Sequence, residues 1–327
     1  MQEEYGRAGA AGVAEMEAPG AGGEGVHRAP FWSDISIPLR SGRHDEVVLR
    51  PVMVETGQHV LGVGYAPAAA GRAVELRRLP DVFRGVVRHR PVRPDFHVVG
   101  VITGGAGRHA VDFRPDDLAA GAVFWLRPGQ VHQVLDADRL HGTAILFTPD
   151  ALAPGNRVAT FADDPVRPSR WAVDPRDPLV TTALRHLELV LAAPSCARDI
   201  ADALRLALTP LVAAARGAAA DNGLVSAVFA RFAAAVEAEF PRRHRVGDYE
   251  RAVHAGTKTI DRSVRRARGI SAKRYLDERL ALEARRRLAT TDVTVAALAR
   301  ELGFSEATNF VKFYRRMTGT TPASVRQ

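Results

Sequence analysis

The 327-residue sequence predicts an α+β fold in two parts, a β-rich N-terminal region followed by a helical C-terminal region. Short apolar runs separated by glycine and proline fill the first half. Leucines recur at helical spacing in the middle, and glycines punctuate amphipathic segments near the end. The composition, 46% hydrophobic and 25% charged, is that of an ordinary globular protein. The length is sufficient for two domains.

The first thirty residues differ from the rest of the chain. Residues 1–30 are rich in Gly, Ala and Glu, which predicts a disordered tail. They lack a basic start followed by an apolar stretch, so we expect no secretory signal. No apolar run in the chain approaches the roughly 18 residues that span a membrane. Cys196 is the only cysteine, which excludes an intramolecular disulfide and a CxxC site. We therefore expect a cytoplasmic protein.

Strand-length apolar runs dominate residues 31–147. They are rich in β-branched residues and are bounded by turn residues, which is typical of strands. Several strands at nearly regular spacing predict a sandwich or a small barrel. The clearest runs are residues 47–49, 98–102, 122–126 and 144–147.

The middle of the chain predicts a connector and two helices. Residues 163–178 are rich in Pro, Arg and Asp and favour a connector. Two apolar stripes at helical spacing follow, with a break near Pro194, and residues 218–223 predict a hinge. Such a helix pair packs either on the β-rich domain or on a second subunit. The stripes consist of Leu184, Leu187 and Leu191, then Leu204, Leu208 and Leu211.

Residues 294–327 predict a helix-turn-helix. Thr294 is a good N-cap for a helix over residues 295–302, and Gly303 suits a left-handed C-terminal position. Ser305 is expected to cap a second helix over residues 306–317. In this motif the second helix enters the major groove of DNA. Phe310, Tyr314 and Met317 are expected to face inward. The candidate DNA-binding residues are Ala307, Thr308, Asn309, Val311, Lys312, Arg315 and Arg316.

An earlier segment predicts a second unit of the same kind. Residues 246–254 form a short helix in this interpretation, and Gly256 or Thr257 opens a second helix that ends at Gly269. Ile260 and Val264 are expected to face inward. The outward candidates for DNA binding are Thr257, Lys258, Asp261, Arg262, Arg265 and Arg266.

A long helix is predicted to join the two units. Ser271 is the expected N-cap of a helix over residues 272–289, with Arg285, Arg286 and Arg287 on a solvated face. A stiff connector of this kind can place two recognition helices in successive major grooves about 34 Å apart. Asp261 is the exception on the outward face. An acid there repels phosphate unless it accepts from a cytosine or pairs with Arg265.

Positive charge is concentrated at the C-terminal end. Residues 241–327 contain 20 Lys and Arg but 9 Asp and Glu, whereas the remainder of the chain is slightly acidic. A basic domain on an acidic body favours a polyanionic partner, for which double-stranded DNA is our prediction. A solvated arginine-rich surface and a non-specific nucleic-acid binder are the alternatives.

The C-terminal hundred residues resemble the DNA-binding domain of the AraC/XylS family. Two positions depart from the family pattern, Lys312 where Arg is usual and Tyr314 where Phe is usual. The resemblance implies a sequence-specific regulator of promoters with its DNA-binding domain at residues 223–327, and RNA polymerase as a partner if it activates. The matching residues are Ile260, Arg262, Gly269, Ile270, Ser271, Leu282, Glu283, Ala284, Arg285, Leu298, Ala299, Leu302, Gly303, Phe304, Ser305, Phe310, Lys312, Tyr314, Thr318, Gly319, Thr321, Pro322 and Arg326.

The β-rich region resembles the cupin-like sensor domain that often precedes such a unit. The resemblance implies a cupin-like β-barrel or jelly roll at residues 31–160 that binds a small-molecule effector. It also implies a linker and dimerisation helices at residues 161–222, and hence a homodimer. The residues that carry it are Gly104, Gly105, His109, Asp112, Phe113, Gly121, Pro128, Gly129, Gln130, Val131, His132 and Gly142.

Histidines are the candidate effector-binding residues of this domain. Metal-binding cupins use a His-x-His set with a later His, but His109 has no second histidine at that spacing. A site of His97, His109 and His132 suits a transition metal, which leaves a metal-dependent enzyme or another small-molecule-binding cupin as the alternative function. We expect no metal, no cofactor and no catalytic activity.

Overall fold

The computed structural model describes residues 51–54, 58–63, 73–85, 91–221 and 226–326. These residues all belong to one compact unit, 45–327. The predicted tail at 1–30 and the predicted strand at 47–49 lie outside the described residues.

The described residues of the N-terminal domain form three sheets. The central sheet has five antiparallel strands in the order β11-β8-β5-β10-β3, and a three-stranded antiparallel sheet has the order β7-β6-β9. In the third sheet β2 pairs antiparallel with β1 and parallel with β4. The strands are β1 (Pro51–Val54), β2 (Gln58–Val63), β3 (Val74–Arg78), β4 (Arg93–Pro94), β5 (His97–Gly104), β6 (Ala106–Val111), β7 (Arg114–Ala119), β8 (Ala122–Leu126), β9 (His132–Asp136), β10 (His141–Phe147) and β11 (Arg170–Ala172).

The central sheet separates two hydrophobic cores. Because side chains alternate across a strand, Val99 and Val101 of β5 face one core while Val98 and Ile102 face the other. Gly100 leaves room for the ring of Phe124, since a Cβ there would lie 2.1 Å from that ring. The predicted α+β fold class, a β-rich N-terminal domain followed by a helical C-terminal domain, is confirmed. One detail is corrected: the described strands form separate sheets and do not close into a barrel.

Helices cover the outer face of the central sheet and form the C-terminal domain. The helices are α1 (Leu79–Gly85), α2 (Arg157–Asp163), α3 (Pro178–Ala192), α4 (Ala197–Asp221), α5 (Ala227–Glu239), α6 (Glu250–Val253), α7 (Thr257–Arg268), α8 (Ala272–Thr290), α9 (Val295–Glu301) and α10 (Ala307–Thr318), with 3-10 turns at Pro149–Ala151, Val246–Tyr249 and Pro322–Arg326. No helix of the described part of the chain is both long and apolar enough to cross a membrane.

The leucine stripes of α3 and α4 pack within the chain. Leu187, Leu204, Leu208 and Leu211 are fully buried in the core shared with the central sheet. The predicted connector at 163–178 contains a strand, β11, because its backbone pairs with the edge strand β8. The predicted hinge at 218–223 is also corrected in part: α4 runs to Asp221, and residues 222–225 lie outside the described ranges.

The C-terminal domain is built around a separate apolar core. Ile260, Phe310 and Tyr314 are fully buried in it, as predicted, and the half-buried Met317 packs against it. Phe313 is also buried. It lies three residues after Phe310, a position that also faces inward on a helix, and the sequence pattern of Phe310, Tyr314 and Met317 did not include it.

Candidate nucleic-acid interface and ligand-binding domain

The first helix-turn-helix is formed by α6 and α7, and α7 is its second helix. His254 takes a left-handed conformation with φ 51° at the end of α6, and the backbone of Gly256 begins α7. Glu250 accepts a hydrogen bond from the backbone N–H of Thr257 at 2.6 Å and a second from its hydroxyl. The hydrogen bonds from Thr257 hold the pKa of Glu250 below its usual value. The turn is therefore fixed by a side chain on the preceding helix, and Thr257 is engaged within the protein.

Asp261 connects α7 with the linking helix α8. One carboxylate oxygen accepts from Arg265 Nε at 2.6 Å, and the other accepts from the backbone N–H of Ala272 at 2.9 Å. The hydrogen bond from Arg265 is the main reason that the pKa of Asp261 lies below its usual value. Of the two possible roles for this acid, the structure contains the pairing with Arg265.

The second helix-turn-helix is formed by α9 and α10. Thr294 caps α9 by accepting from Ala297 N at 3.1 Å, and Gly303 has φ 77°, as the sequence predicts. A Cβ at Gly303 would also lie 2.4 Å from the carbonyl oxygen of Pro241, so the turn requires glycine. The predicted cap Ser305 is wrong by one residue: Glu306 is the N-cap, without a side-chain hydrogen bond.

Most of the candidate DNA-binding side chains are on the surface. The exposed ones are Thr257, Lys258, Arg262, Arg265, Arg266, Thr308, Asn309, Lys312, Arg315 and Arg316. Asp261, Ala307 and Val311 are half-buried, and the last two pack against the C-terminal core. The side chain of Arg316 contacts two other residues of the protein: its Nη2 lies 3.7 Å from Asp277, and its Cζ lies 5.6 Å from the centre of the Phe313 ring.

Five of the exposed cations form no ion pair with any residue that the structure describes. They are Lys258, Arg262, Arg266, Lys312 and Arg315. Surface cations without a protein counter-charge are available to phosphate, which supplies most of the salt-dependent affinity of DNA-binding proteins.

The linking helix α8 is docked on the N-terminal domain through a buried ion pair. Arg286 donates to Asp112 from Nε at 2.7 Å and from Nη2 at 2.6 Å. Asp112, at φ 51°, also accepts from Gln130 Nε2 at 3.0 Å and from Val131 N at 3.1 Å. Burial alone raises the pKa of Asp112, but the hydrogen bonds and charge of Arg286 outweigh it and hold that pKa below its usual value.

Further contacts extend this junction. Glu283 lies 2.9 Å from Arg93 of β4 and 3.4 Å from Arg279, which also binds Glu237 of α5 at 2.8 Å. Arg285 places its guanidinium 4.1 Å from the centre of the Phe113 ring. The predicted solvated face of α8 is therefore corrected in part: Arg285 is exposed as predicted, whereas Arg287 is half-buried. These three arginines each contact a residue of another element, and Arg286 is buried.

The structure brings two of the three candidate histidines together. His109 Nδ1 and His132 Nε2 are 3.2 Å apart in the core between the sheets, near the ring of Phe124. Burial lowers their pKa values to about 3 for His109 and about 4 for His132, so both are neutral at physiological pH.

His97 lies on the opposite face of the central sheet. It stacks on Phe147 with ring centres 4.7 Å apart and accepts from Trp125 Nε1 at 3.1 Å. Burial, with a smaller effect from the charge of Arg167, lowers the pKa of His97 to about 3. Strand alternation signals this separation, because His97 shares its parity with Val99 and Val101. Within the described ranges no three His, Cys, Asp or Glu side chains form a group suited to a metal ion.

A cleft with a volume of about 1830 Å³ lies between the N-terminal domain and helix α8. His97, Arg127, Arg167 and Trp171 line it from the N-terminal domain, and Tyr275 lines it from α8. Neither Arg127 nor Arg167 was singled out from the sequence, because an isolated arginine gives no local signal that it is buried.

Comparison with known proteins agrees with both halves of this structure. Residues 85–208 match the AraC-like ligand binding domain, and residues 249–327 match a helix-turn-helix domain. The fold and the two helix-turn-helix units thus define a DNA-binding transcription regulator with an N-terminal ligand-binding domain. The chain belongs to the AraC family.

The relatives include the HTH-type transcriptional activator RhaS from Escherichia fergusonii. It is 25% identical over 247 residues, which are 71% of this chain and 86% of the relative. RhaS from Citrobacter koseri is 25% identical over 244 residues with the same coverage, 71% and 86%. A solved structure, ToxT from Vibrio cholerae with bound unsaturated fatty acid, aligns with 77% of this chain and 93% of its own at 11% identity, with a TM-score of 0.38.

Proposed function

We propose that this regulator reads promoter DNA by placing α7 and α10 in adjacent major grooves. The observation that carries the proposal is the pair of helix-turn-helix units joined by one 19-residue helix, each with exposed cations free of ion pairs among the described residues. At a rise of about 1.5 Å per residue that helix is about 28 Å long, comparable to the groove spacing of about 34 Å.

The two recognition helices divide their side chains between bases and phosphates in this proposal. Thr308, Asn309 and Lys312 lie in the N-terminal half of α10, the part of a recognition helix that approaches base edges. Arg262 and Lys258 have the same role on α7. Arg266, Arg315 and Arg316 lie further along and contact phosphate. Asp261 and Arg265 bind each other and hold α7 in place.

The effector binds the N-terminal domain, and its presence is transmitted through the junction with α8. The neutral pair His109 and His132 borders the turn that carries Asp112, because Val111 of β6 pairs with His132. A ligand that moves this turn also moves the buried contact from Asp112 to Arg286. That contact is the structural support for effector control of DNA binding.

The remaining features of the proposal come from the family. The protein acts as a cytoplasmic homodimer, and it activates transcription with RNA polymerase, since the relatives are named transcriptional activators. It regulates and does not catalyse. The support is the separation of His97 from the other two histidines by the central sheet.

Selection of genomic fragments tests the DNA-binding proposal. The purified protein is mixed with fragments of its own genome at about 150 mM salt, and the retained DNA is sequenced. A regulator is expected to prefer its sites over random DNA by about 10³-fold or more. The shared motif should contain half-sites about one helical turn apart.

Single substitutions then locate the contacts. Arg262→Ala and Lys312→Ala should each cost about 1–3 kcal/mol at one half-site, or reduce the salt dependence by about one charge if the contact is to phosphate. Arg216→Ala, at an exposed arginine on α4, is the matched control and should leave affinity unchanged. Equal affinity of all three variants for the selected site would refute the placement of α7 and α10 in the grooves.

A further inference from the structure

Two residues that line the cleft each have a buried N–H donor with no acceptor within the part of the chain that the structure describes. The donors are Arg167 Nη2 and Trp171 Nε1. Each residue is 7% exposed, and both line the cleft on the side of the N-terminal domain. A buried donor without an acceptor is destabilising, so two of them at one cavity require an explanation.

Arg167 is held by neutral groups alone. Its Nη1 donates to the carbonyls of Pro168 at 3.1 Å and Trp125 at 3.4 Å, and its Nε donates to that of Ala162 at 3.4 Å. Its guanidinium lies 4.8 Å from the centre of the Trp125 ring and forms no ion pair with any described residue. Burial, with a smaller effect from the charge of Arg127, lowers its pKa to about 9, so it is protonated at neutral pH.

Arg127 adds a second positive charge at the same wall. It is half-buried, donates to the carbonyl of Asp164 at 3.3 Å and likewise forms no ion pair with the described side chains. Burial is also the main reason that the pKa of Arg127 is lowered. Placing two guanidinium groups in a region of low dielectric without a counter-ion is costly. Asp163 and Asp164 act on Arg167 from a distance, as Glu237 and Asp112 do on Arg127, but no described carboxylate lies within ion-pair distance of either guanidinium.

The lining of the cleft as a whole also carries a net positive charge. Among the described residues that line the cleft, eleven are arginines and five are aspartates or glutamates. Several of these arginines are already paired, as in Arg286 with Asp112 and Arg279 with Glu237. Tyr275 of α8 lines the facing wall and is half-buried.

We propose that this cleft binds a small molecule bearing a carboxylate or phosphate group, which is held by Arg127, Arg167 and the indole N–H of Trp171. All three supply donors and none supplies an acceptor, so the complementary group is an acceptor with negative charge. The planar fork of a guanidinium matches both oxyanions. The inference rests on the proposed effector-dependent function and supplies the chemical class of the effector.

Isothermal titration of the full-length protein tests the site with two probes, inorganic phosphate and acetate, at constant ionic strength set with sodium chloride. Saturable binding of one probe and not the other identifies which oxyanion the cleft prefers. Arg127→Gln should weaken that binding by about tenfold or more, because a charge-assisted hydrogen bond is lost. Trp171→Phe should weaken it several-fold, since it removes the N–H and keeps an aromatic ring.

The matched control is Arg114→Gln, an exposed arginine that also lines the cleft. It removes one positive charge without removing a buried donor, so binding should change by less than about twofold. Failure of both probes to saturate, or equal weakening by Arg114→Gln and Arg127→Gln, would overturn the proposal in favour of ordered water or a general field effect. Thermal unfolding of each variant establishes that it is folded.

A separate readout distinguishes the anion site from the proposed function. The selected DNA fragment is titrated with protein in the presence and absence of the bound probe. Anion binding that leaves DNA affinity unchanged supports the site and contradicts the effector role. If the wild-type protein binds the anion but shows no sequence-specific DNA binding, the proposed function is contradicted and the anion site is still supported.

Discussion

The ligand-binding domain and the two helix-turn-helix units place their polar groups in opposite ways. The first buries titratable side chains inside its sheets and cleft, as with His109, His132 and Arg167. The second packs aromatic and aliphatic residues in its interior and leaves cations such as Arg262 and Lys312 on the surface. Buried polar groups reduce stability unless something satisfies them, which suits a domain that responds to a ligand. Exposed charge costs little and suits a surface for DNA.

The ion pair between Asp112 and Arg286 joins the ligand-binding domain to the linking helix α8. Breaking it should have the largest effect on stability. Asp112→Asn removes the charge and keeps the shape, and asparagine tolerates the positive φ of this position. Arg286 then keeps only Glu283, 3.6 Å from its Nη1, as a counter-charge. We therefore expect a loss of about 3 kcal/mol in the free energy of unfolding, the lower end of the range for breaking a buried ion pair. Urea unfolding measures the loss.

A double-mutant cycle separates this ion pair from general damage to the turn. Arg286→Met removes the buried charge, so Asp112→Asn combined with Arg286→Met should recover part of the loss. A double variant whose loss equals the sum of the two single losses would mean that the two side chains do not interact energetically. The junction would then have no part in communication between the domains.

The buried histidines should make the ligand-binding domain sensitive to mild acid. His109 has a folded pKa of about 3 against an ordinary value of 6.5, so between these pH values the unfolded chain binds a proton that the folded chain does not. Stability is therefore full above pH 6.5 and falls as the pH is lowered. The expected slope is about 1.4 kcal/mol per pH unit for each such histidine.

Substitution isolates one histidine from the others. His109→Gln should reduce the slope of stability against pH between 6.5 and 5 by about 1.4 kcal/mol per unit. His186→Gln, at an exposed histidine on α3, is the control and should leave the slope unchanged. An unchanged slope in His109→Gln would show that His109 is not buried in its neutral form.

Local features of the fold were predictable from sequence, and contacts between distant segments were not. Gly269 and Gly303 end helices with positive φ, and Ser271 and Thr294 cap helices, because each depends on its immediate neighbours. The partners Asp112 and Arg286 are 174 positions apart in sequence. A run of three arginines at 285–287 looks solvated until that partner is known.

The same limit applies to the candidate sites. The recognition helices were found from helix spacing and a family pattern, both of which are local. The strand β11 lies in a stretch rich in Pro and Arg, and its extended form depends on pairing with β8. The donors of the cleft became visible only when tertiary packing had buried Arg167 and Trp171 and left them without acceptors.

The smallest expected effect concerns the single acid on a recognition helix. Asp261→Ala removes the hydrogen bond to Ala272 N at the start of α8 and releases Arg265. Losing an acceptor at a helix N-terminus costs about 1 kcal/mol of stability. The released arginine should raise the salt dependence of DNA binding by about one charge.

Arg265→Ala is the matched variant, because it keeps the hydrogen bond from Ala272 N to Asp261 and should cost less stability. If Asp261→Ala left both stability and salt dependence unchanged, neither hydrogen bond of Asp261 would contribute in solution. Asp261 would then not be one of the groups that hold α7 in place.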